Sequence, residues 1–539
     1  MTFRVDSLGG RRQRPTPSSW EAAIPGPALR LGEVVATLAL AQDNAFGQPL
    51  ESQLRSCLLA GWLADTAGYD DDLRATIHWV ALLRYVGCTG HTYEVASVFG
   101  DDLSIRAQTL VHDAGDPAEV MRDVLAYATA AHPPEEHEAV VAAITAGAHE
   151  WAVLNFTSGC EAGDQLAARL GMSDEVRDAL GHTFERWSGT GFPRHVAGEA
   201  IPLAMRVVHL THDMEAIARR ISPQAALDAV RDRSGRTYDP VLADLMLVHG
   251  DQWLRRLAKV EPWDSVLEAE PAPHRILVDS DLDEALLVMA DFVDVKSPFY
   301  VGHSRRCADL VAAAAGRLGL DPAVVLDARR ASLVHELGMT AISNAILDKP
   351  GALTRAERDR MQTHTLLTEQ MLRRSDGLRE LSSVAAAHHE RCDGTGYHKG
   401  LRADGTSVVG ALLGASEIYV GLTTDRADRP ASSAETAAAE LRRQVGLGAL
   451  EHDVVEAVLE ASGHEPRRAA RAVNPAGLTD REVEVLRLAA RGLTTKQIGE
   501  ELFLSPKTVD HHIQHVYTKI GVSTRAAATL WGVQHGVVG

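Results

Sequence analysis

Five histidines and two glutamates in the second half of the chain have the types and the order needed to hold metal ions. They stand in "GHSRR" (His303), "VHELG" (His335, Glu336), "QTHTL" (His364), "AHHER" (His388, His389) and "ASEIY" (Glu417). Mixed imidazole and carboxylate donors suit iron, manganese or zinc, whereas an all-oxygen set would suit magnesium or calcium. A lone histidine in helical text is usually a surface or satisfied core residue. Seven such groups in one stretch favour a shared site.

Helices must bring these groups together. Aromatics are only 5% of the 539 residues, and Ala- and Leu-rich segments dominate, which favours helices over sheets. Helices that turn histidines and carboxylates into a bundle interior are an established way to build a metal site. Neighbours on a helix lie about 100° apart, so His335 and Glu336 can both face one point between helices. The fold class read from the sequence is therefore all-α. Residues 1–20 mix Gly, Pro, Ser and Arg without periodicity and are expected to be disordered. Residues 21–265 and 276–464 read as two helical blocks, 465–476 as a short basic linker, and 477–539 as a compact final unit.

The two blocks look like copies. "ALLRYVGCT" from Ala81 matches "SLVHELGMT" from Ser332, and "ERWSGTGF" from Glu185 matches "ERCDGTGY" from Glu390. The first copy carries an extra segment between these strings, roughly Gly100 to Trp151.

The second block resembles the HD superfamily of metal-dependent phosphohydrolases, and more closely its HD-GYP branch, over about residues 297–432. The strings that carry the resemblance are "YVGHSRR", "HELGMTAISNAILDKPGALT", "MQTHT", "HHERCDGTGY" and "LTTDRADRP". It implies an all-α bundle that binds two or three divalent metals (iron or manganese, with zinc a further candidate) and hydrolyses cyclic di-GMP. By the resemblance His303, His335, Glu336, His364, His388, His389 and Glu417 match metal ligands, with Glu336 and Asp393 as catalytic carboxylates. The chain departs from the pattern too. Glu336 and Glu417 stand where the family has aspartate, Met339 stands where it has a phosphate-facing lysine, and Gly-Tyr-Pro reads Gly396-Tyr397-His398. In the first block the corresponding positions are Ser52, Arg84, Tyr85, Thr183 and Phe184, so that copy is expected to keep the fold without metals. His112–Asp113 follows the "YVGCT" anchor where a ligand pair should precede it, and is read as a decoy.

The end of the chain carries a different chemistry. Thr479 and Glu482 form a capping-box pattern, Thr494 and Thr495 are candidate caps, and Ser505–Pro506 opens a third helix. Val509, Ile513, Val516 and Ile520 define that helix's buried face. The order of caps and helices fits a helix-turn-helix whose third helix enters the major groove, and spacing alone does not separate this from a small structural bundle. "LTDREVEVLRLAARG", "IGEELFLSPKTVDHHI" and "YTKIGVSTRAAA" resemble the LuxR-type (GerE) DNA-binding domain over about residues 477–539. By that resemblance Lys507, Thr508 and His511 meet base edges, and Lys496, Ser505, His515 and Lys519 meet phosphates. A homodimer on double-stranded DNA, paired through the last helix (Thr524–His535), is the expected partner state.

Charge agrees with this division. The chain has a net charge of −19, yet residues 464–539 hold 10 Lys/Arg against 7 Asp/Glu. Nucleic-acid contact is thus expected at the C-terminal end alone. No apolar run approaches the roughly 20 residues of a membrane span, and five scattered cysteines without a C-x-x-C suit a reducing cytoplasm. The leading reading is a DNA-binding transcription regulator whose tandem HD-type blocks sense a small molecule, such as a cyclic dinucleotide. The second is an active metal-dependent phosphodiesterase coupled to DNA binding. The third treats both copies as dimerisation scaffolds.

Overall fold

The computed structural model describes residues 29–463 and 474–538. The expectation for residues 1–20, and most of the linker with Arg467, Arg468 and Arg471, lies outside the described residues. The architecture is helical, with one antiparallel ladder of two short strands, Leu29–Arg30 and Ile276–Leu277. That ladder ties the start of the first block to the start of the second.

The blocks do not have separate cores. Leu38, Leu59, Leu82 and Val208 of the first pack in one apolar cluster with Phe292, Leu337 and Leu378 of the second. The helix Leu31–Ala45 is buried along its whole length and lies against Leu337–Ala341, the segment that follows His335 and Glu336. Each fully buried leucine contributes about 1.5–3 kcal/mol, so the shared core fastens the first copy firmly behind the metal-type site. A smaller cluster around Val311, Leu412, Leu441 and Val455 completes the second block.

The duplication is visible atom by atom. A Cβ on Gly87 would strike the Gly159 carbonyl at 1.9 Å, and one on Gly338 would strike the His364 carbonyl at 2.0 Å. Both glycines exist so that one segment can cross a helix closely. The repeated loop is held the same way in each copy. Glu185 accepts hydrogen bonds from the Arg194 and Val196 amides at 2.8 and 2.9 Å. Glu390 accepts them from the Lys399 and Leu401 amides at 2.8 and 2.7 Å. The first copy's extra segment forms the helices Asp102–Thr109 and Pro117–Ala130 and the outer part of a long helix, His137–Arg169. With its leading turn, Pro134–Arg169 is long and apolar enough to cross a membrane. This differs from the sequence expectation that no run approaches that length. The apolar window is only 6% buried, while the later residues Asn155, Gly159, Ala162 and Leu166 are buried.

The final unit comprises Asp480–Ala490, Thr495–Leu502, Pro506–Ile520 and Arg525–Gln534. Its caps are the ones the sequence names: Thr479 with Glu482, Thr494 with Gln497, and Ser505 ahead of Pro506. Val485, Ile498 and Val509 form its core, and a second cluster joins Leu486, Val516 and Ala528 to Val301 of the second block.

Candidate metal centre and DNA-reading surface

Two of the expected ligand pairs lie in turns, which differs from the helical placement read from the sequence. The helix Pro322–Leu333 ends just before His335 and Glu336, and the helix Arg379–Ala385 ends just before His388 and His389. A turn lets adjacent side chains point to one centre without the 100° offset of a helix. His303 opens the helix His303–Arg317, His364 sits in the first turn of Thr363–Leu372, and Glu417 lies in Val408–Leu422.

Their polar atoms converge. Glu417 Oε2 is 2.7 Å from His303 Nε2 and 3.3 Å from His335 Nε2. Glu336 lies between two groups of imidazoles. Its Oε1 is 3.7 Å from His303 and 4.0 Å from His335, and its Oε2 is 3.5 Å from His364 and 3.9 Å from His388. His389 joins His364 and His388 on that second side.

Three histidines are oriented by backbone carbonyls. The Nδ1 atoms of His335, His364 and His388 each stand 2.6 Å from a carbonyl oxygen three residues earlier. This fixes the proton on Nδ1 and aims the Nε2 lone pair at the centre. His364 and His388 then face each other Nε2 to Nε2 at 2.9 Å. Two lone pairs at that distance repel, whereas two cis ligands about 2.0–2.1 Å from one metal stand about this far apart. Glu336 Oε2 is buried and has no hydrogen-bond partner, which a native interior tolerates poorly without a cation. The donor set therefore fits a pair of divalent metals, with Glu336 between the subsites.

Electrostatics agree. Burial, and then the neighbouring imidazoles, hold His388 and His389 well below the usual histidine range, so both are neutral donors. Burial acts to raise the Glu417 carboxyl, yet His303 and His335 hold it well below the usual carboxylate range. Burial acts to lower His335, and its hydrogen bond to Glu417 and the charge of Glu336 outweigh this, raising it to about 9. Cation binding at such a site displaces protons.

Asp393 is not brought to this centre. Its carboxylate accepts hydrogen bonds from the Thr395 amide at 2.9 Å and the Thr395 hydroxyl at 2.7 Å, so it shapes the repeated loop. Four groups beside the centre, Cys307, Tyr397, Arg426 and Tyr300, were given no site role from the sequence. Cys307, one turn after His303, adds a thiol to the His303, His335 and Glu417 group. Tyr397 stacks on His389. Arg426 lies over the Tyr300 ring at 3.9 Å and reaches within 3.4 Å of His303 Nδ1. A half-buried cation thus stands near the centre although the lysine position is Met339. The available signals were the (i, i+4) spacing of His303 and Cys307 and the HD-type strings that contain Tyr300, Tyr397 and Arg426. Arg426 is more than one hundred residues away in sequence.

On the reading helix Pro506–Ile520, Lys507, Thr508, His511 and His515 are exposed, and so is Lys496 on the preceding helix. Ser505 is exposed as well, and its hydroxyl caps the reading helix through the Thr508 amide at 3.1 Å. Lys519 is otherwise engaged: its ammonium bonds Glu482 at 2.6 Å and the Gly477 carbonyl at 3.0 Å.

The unit is docked on the rest of the chain. Glu161 of the long helix accepts hydrogen bonds from the Ser523 amide and hydroxyl and, at 2.8 Å, from the Thr524 hydroxyl. Leu530 of the terminal helix is fully buried in the core shared by the two blocks. Arg491 pairs with Asp425, next to Arg426.

Comparison with known proteins finds two domain families in the chain. The profile "HD domain" matches residues 156–242 and 287–451, and "Bacterial regulatory proteins, luxR family" matches 476–531. The chain is an HD-domain protein with a LuxR-type DNA-binding domain in its C-terminal part. It is 29% identical over 413 residues to 3'3'-cGAMP-specific phosphodiesterase 3 of Vibrio cholerae serotype O1, covering 76% of this chain and 90% of that one. It is 32% identical over 169 residues to the cyclic di-GMP phosphodiesterase PA4108 of Pseudomonas aeruginosa, over 39% of that protein's length. A crystal structure of a V. cholerae cyclic GMP-AMP specific phosphodiesterase, V-cGAP3, aligns with a TM-score of 0.57 at 26% identity. That alignment covers 82% of this chain and 99% of that one.

Proposed function

We propose that this protein is a DNA-binding regulator whose HD-type centre holds two divalent metals and recognises a cyclic dinucleotide. The observation that carries this reading is the adjacency of Asp425 and Arg426. Asp425 pairs with Arg491 of the DNA-reading unit, while Arg426 lies on Tyr300 and His303 at the metal-type centre. An anionic ligand that draws Arg426 toward a phosphate strains the Asp425 contact one residue away, so occupancy of the centre biases docking of the reader. His303, His335 and Glu417 would hold one ion and His364, His388 and His389 the other, with Glu336 available to both groups. Bound divalent ions supply phosphoryl polarisation and an activated water.

The complete donor set favours a second reading, in which the same centre hydrolyses the cyclic dinucleotide. Glu336 and Glu417 extend far enough to keep a carboxylate among the imidazoles, which offsets their departure from aspartate. Both readings are tested with the full chain, iron or manganese, and 3'3'-cGAMP. Regulation predicts that the dinucleotide changes mobility-shift affinity for genomic operator fragments, and that Lys507→Ala and Thr508→Ala weaken specific binding. Hydrolysis predicts linear product that vanishes in His335→Ala. Specific DNA binding unchanged in both variants would defeat the assignment of Pro506–Ile520 as the reading helix, and no specific binding by the parent chain would defeat the regulator reading. Dimeric binding through the terminal helix requires that helix to leave the long helix His137–Arg169.

A further inference from the structure

The helix His303–Arg317 turns Cys307 to the same side as His303, one turn later. Its thiol is fully buried, 3.7 Å from His303 Nε2 and 3.4 Å from Glu417 Oε2. His335 Nε2 stands 3.3 Å from the same carboxylate oxygen. The four donors of His303, Cys307, His335 and Glu417 all lie within 4.8 Å of one another. Ligands about 2.0–2.3 Å from a tetrahedral ion stand about 3.3–3.7 Å apart, which matches the Cys307–His303, Cys307–Glu417 and His335–Glu417 separations, while His303 and Glu417 stand closer at 2.7 Å. Glu336 Oε1 faces the same cluster, 3.7 Å from His303 Nε2 and 4.0 Å from His335 Nε2.

We propose that Cys307 is a thiolate ligand of the His303–His335–Glu417 subsite, converting an oxygen- and nitrogen-donor position into a sulfur-containing one. The inference rests on the metal reading of this centre. On binding, the Cys307 S–H bond breaks, its proton leaves to solvent, the sulfur lone pair forms the metal bond, and one metal-bound water is released. No electron is transferred. Thiolate is a soft donor that favours zinc or iron(II) over manganese. The two subsites therefore differ in kind: one carries sulfur, and the other is built from His364, His388 and His389. Nothing in the fold requires a thiol here. Cys307 packs among Val311, Ala328 and Leu412, where valine would fill the space about as well.

The test uses the full chain loaded with cobalt(II), compared with Cys307→Val and Cys307→Ser. Thiolate-bound cobalt shows an intense sulfur-to-metal charge-transfer band that nitrogen and oxygen ligands do not give. The other cysteines, Cys57, Cys88, Cys160 and Cys392, belong to none of the metal-capable groups among the described residues, so the band reports Cys307. The expected result is a band in the parent chain, lost in both variants. Zinc affinity at one of the two sites should fall about 10- to 100-fold, a range set by comparison with outer-shell losses, with manganese affinity little changed. Two bound cobalt ions without the band would overturn the proposal and leave the metal reading standing. No bound metal in the parent chain would overturn both. Thermal unfolding of the metal-free chains checks that Cys307→Val folds.

Discussion

The two copies meet the same architectural problem at one position, and they solve it with opposite chemistry. Where the second copy has His335 and Glu336, the first has Arg84 and Tyr85. Where the second has Glu417, the first has His212, followed by Asp213. The second copy gathers neutral imidazoles and carboxylates around a point that calls for an external cation. The first has its cation built in. Arg84 is buried and bonds the Val208 carbonyl at 3.3 Å, and its ring neighbour is Tyr85. Asp213 accepts from the Tyr238 hydroxyl at 3.1 Å and His212 at 3.1 Å. Burial acts to raise the Asp213 carboxyl, and His212 and Arg84 hold it well below the usual range instead. A guanidinium cannot leave, so the first copy is a permanently charged strut, while the second depends on what it binds.

The strongest way to break this comparison is to truncate the same position in each copy. His335→Ala should abolish binding at one metal subsite, a loss of more than about 100-fold, while the midpoint of the metal-free chain falls less than in Arg84→Ala, because His303 still pairs with Glu417 at 2.7 Å. Arg84→Ala should do the reverse. Removing one partner of a buried charge cluster costs about 3–5 kcal/mol, so the unfolding midpoint should fall sharply with metal content per folded molecule unchanged. Metal analysis and chemical denaturation of both variants decide it. Loss of metal in Arg84→Ala would show that the first copy contributes to the site.

Much of this was legible in the sequence because it is local. The loop glutamates Glu185 and Glu390, the caps of the final unit and the order of the histidines are fixed by neighbours within a dozen residues. The pairing of His335 with Glu336 in a turn, in place of a helix, was not legible, since one residue of helix end decides it. The contacts that join units were hidden for a different reason. Arg426 on His303, Leu530 in the shared core and Glu161 at Ser523 each link residues more than one hundred apart, with no periodicity to announce them. Asp393 misled because a loop carboxylate beside paired histidines looks catalytic, whereas Thr395 next to it offers two nearer donors.

A second comparison concerns pH. Asp294 and Asp43 occupy matching places, each accepting a backbone amide ten residues on: Ser304 at 2.8 Å and Gln53 at 3.0 Å. Burial pushes the Asp294 carboxyl up to about 7, opposed by its Ser304 hydrogen bonds, and pushes Asp43 well above the usual range. The folded chain therefore holds a proton at Asp294 that the unfolded chain releases near pH 4. Stability conferred by this group is fully present below about pH 4 and is lost as pH rises through about 7, with a slope up to ~1.4 kcal/mol per pH unit. Asp294→Asn should flatten that part of the profile, because the amide can accept from the Ser304 N–H and donate to its hydroxyl. An unchanged slope in denaturant titrations across this window would show that Asp294 stays ionised in the folded chain.

The smallest expected effect separates the two anchors of the DNA reader. The first copy holds the terminal helix through Glu161, and the second holds Arg491 through Asp425. Glu161→Arg replaces an acceptor of three hydrogen bonds with a cation, at a cost of about 1–3 kcal/mol. Asp425→Arg breaks one partly exposed ion pair, which contributes about 1 kcal/mol or less. Hydrogen exchange over Arg525–Gln534 should therefore quicken strongly in Glu161→Arg and only slightly in Asp425→Arg, with the metal centre intact in both. The ranking follows from burial: Leu530 lies in the core that the two blocks share, so releasing the terminal helix disturbs that core. If Asp425→Arg proved the more disruptive, the metal-binding copy would be the main restraint on the reader, and Arg426 beside it would govern docking more directly than Glu161 does.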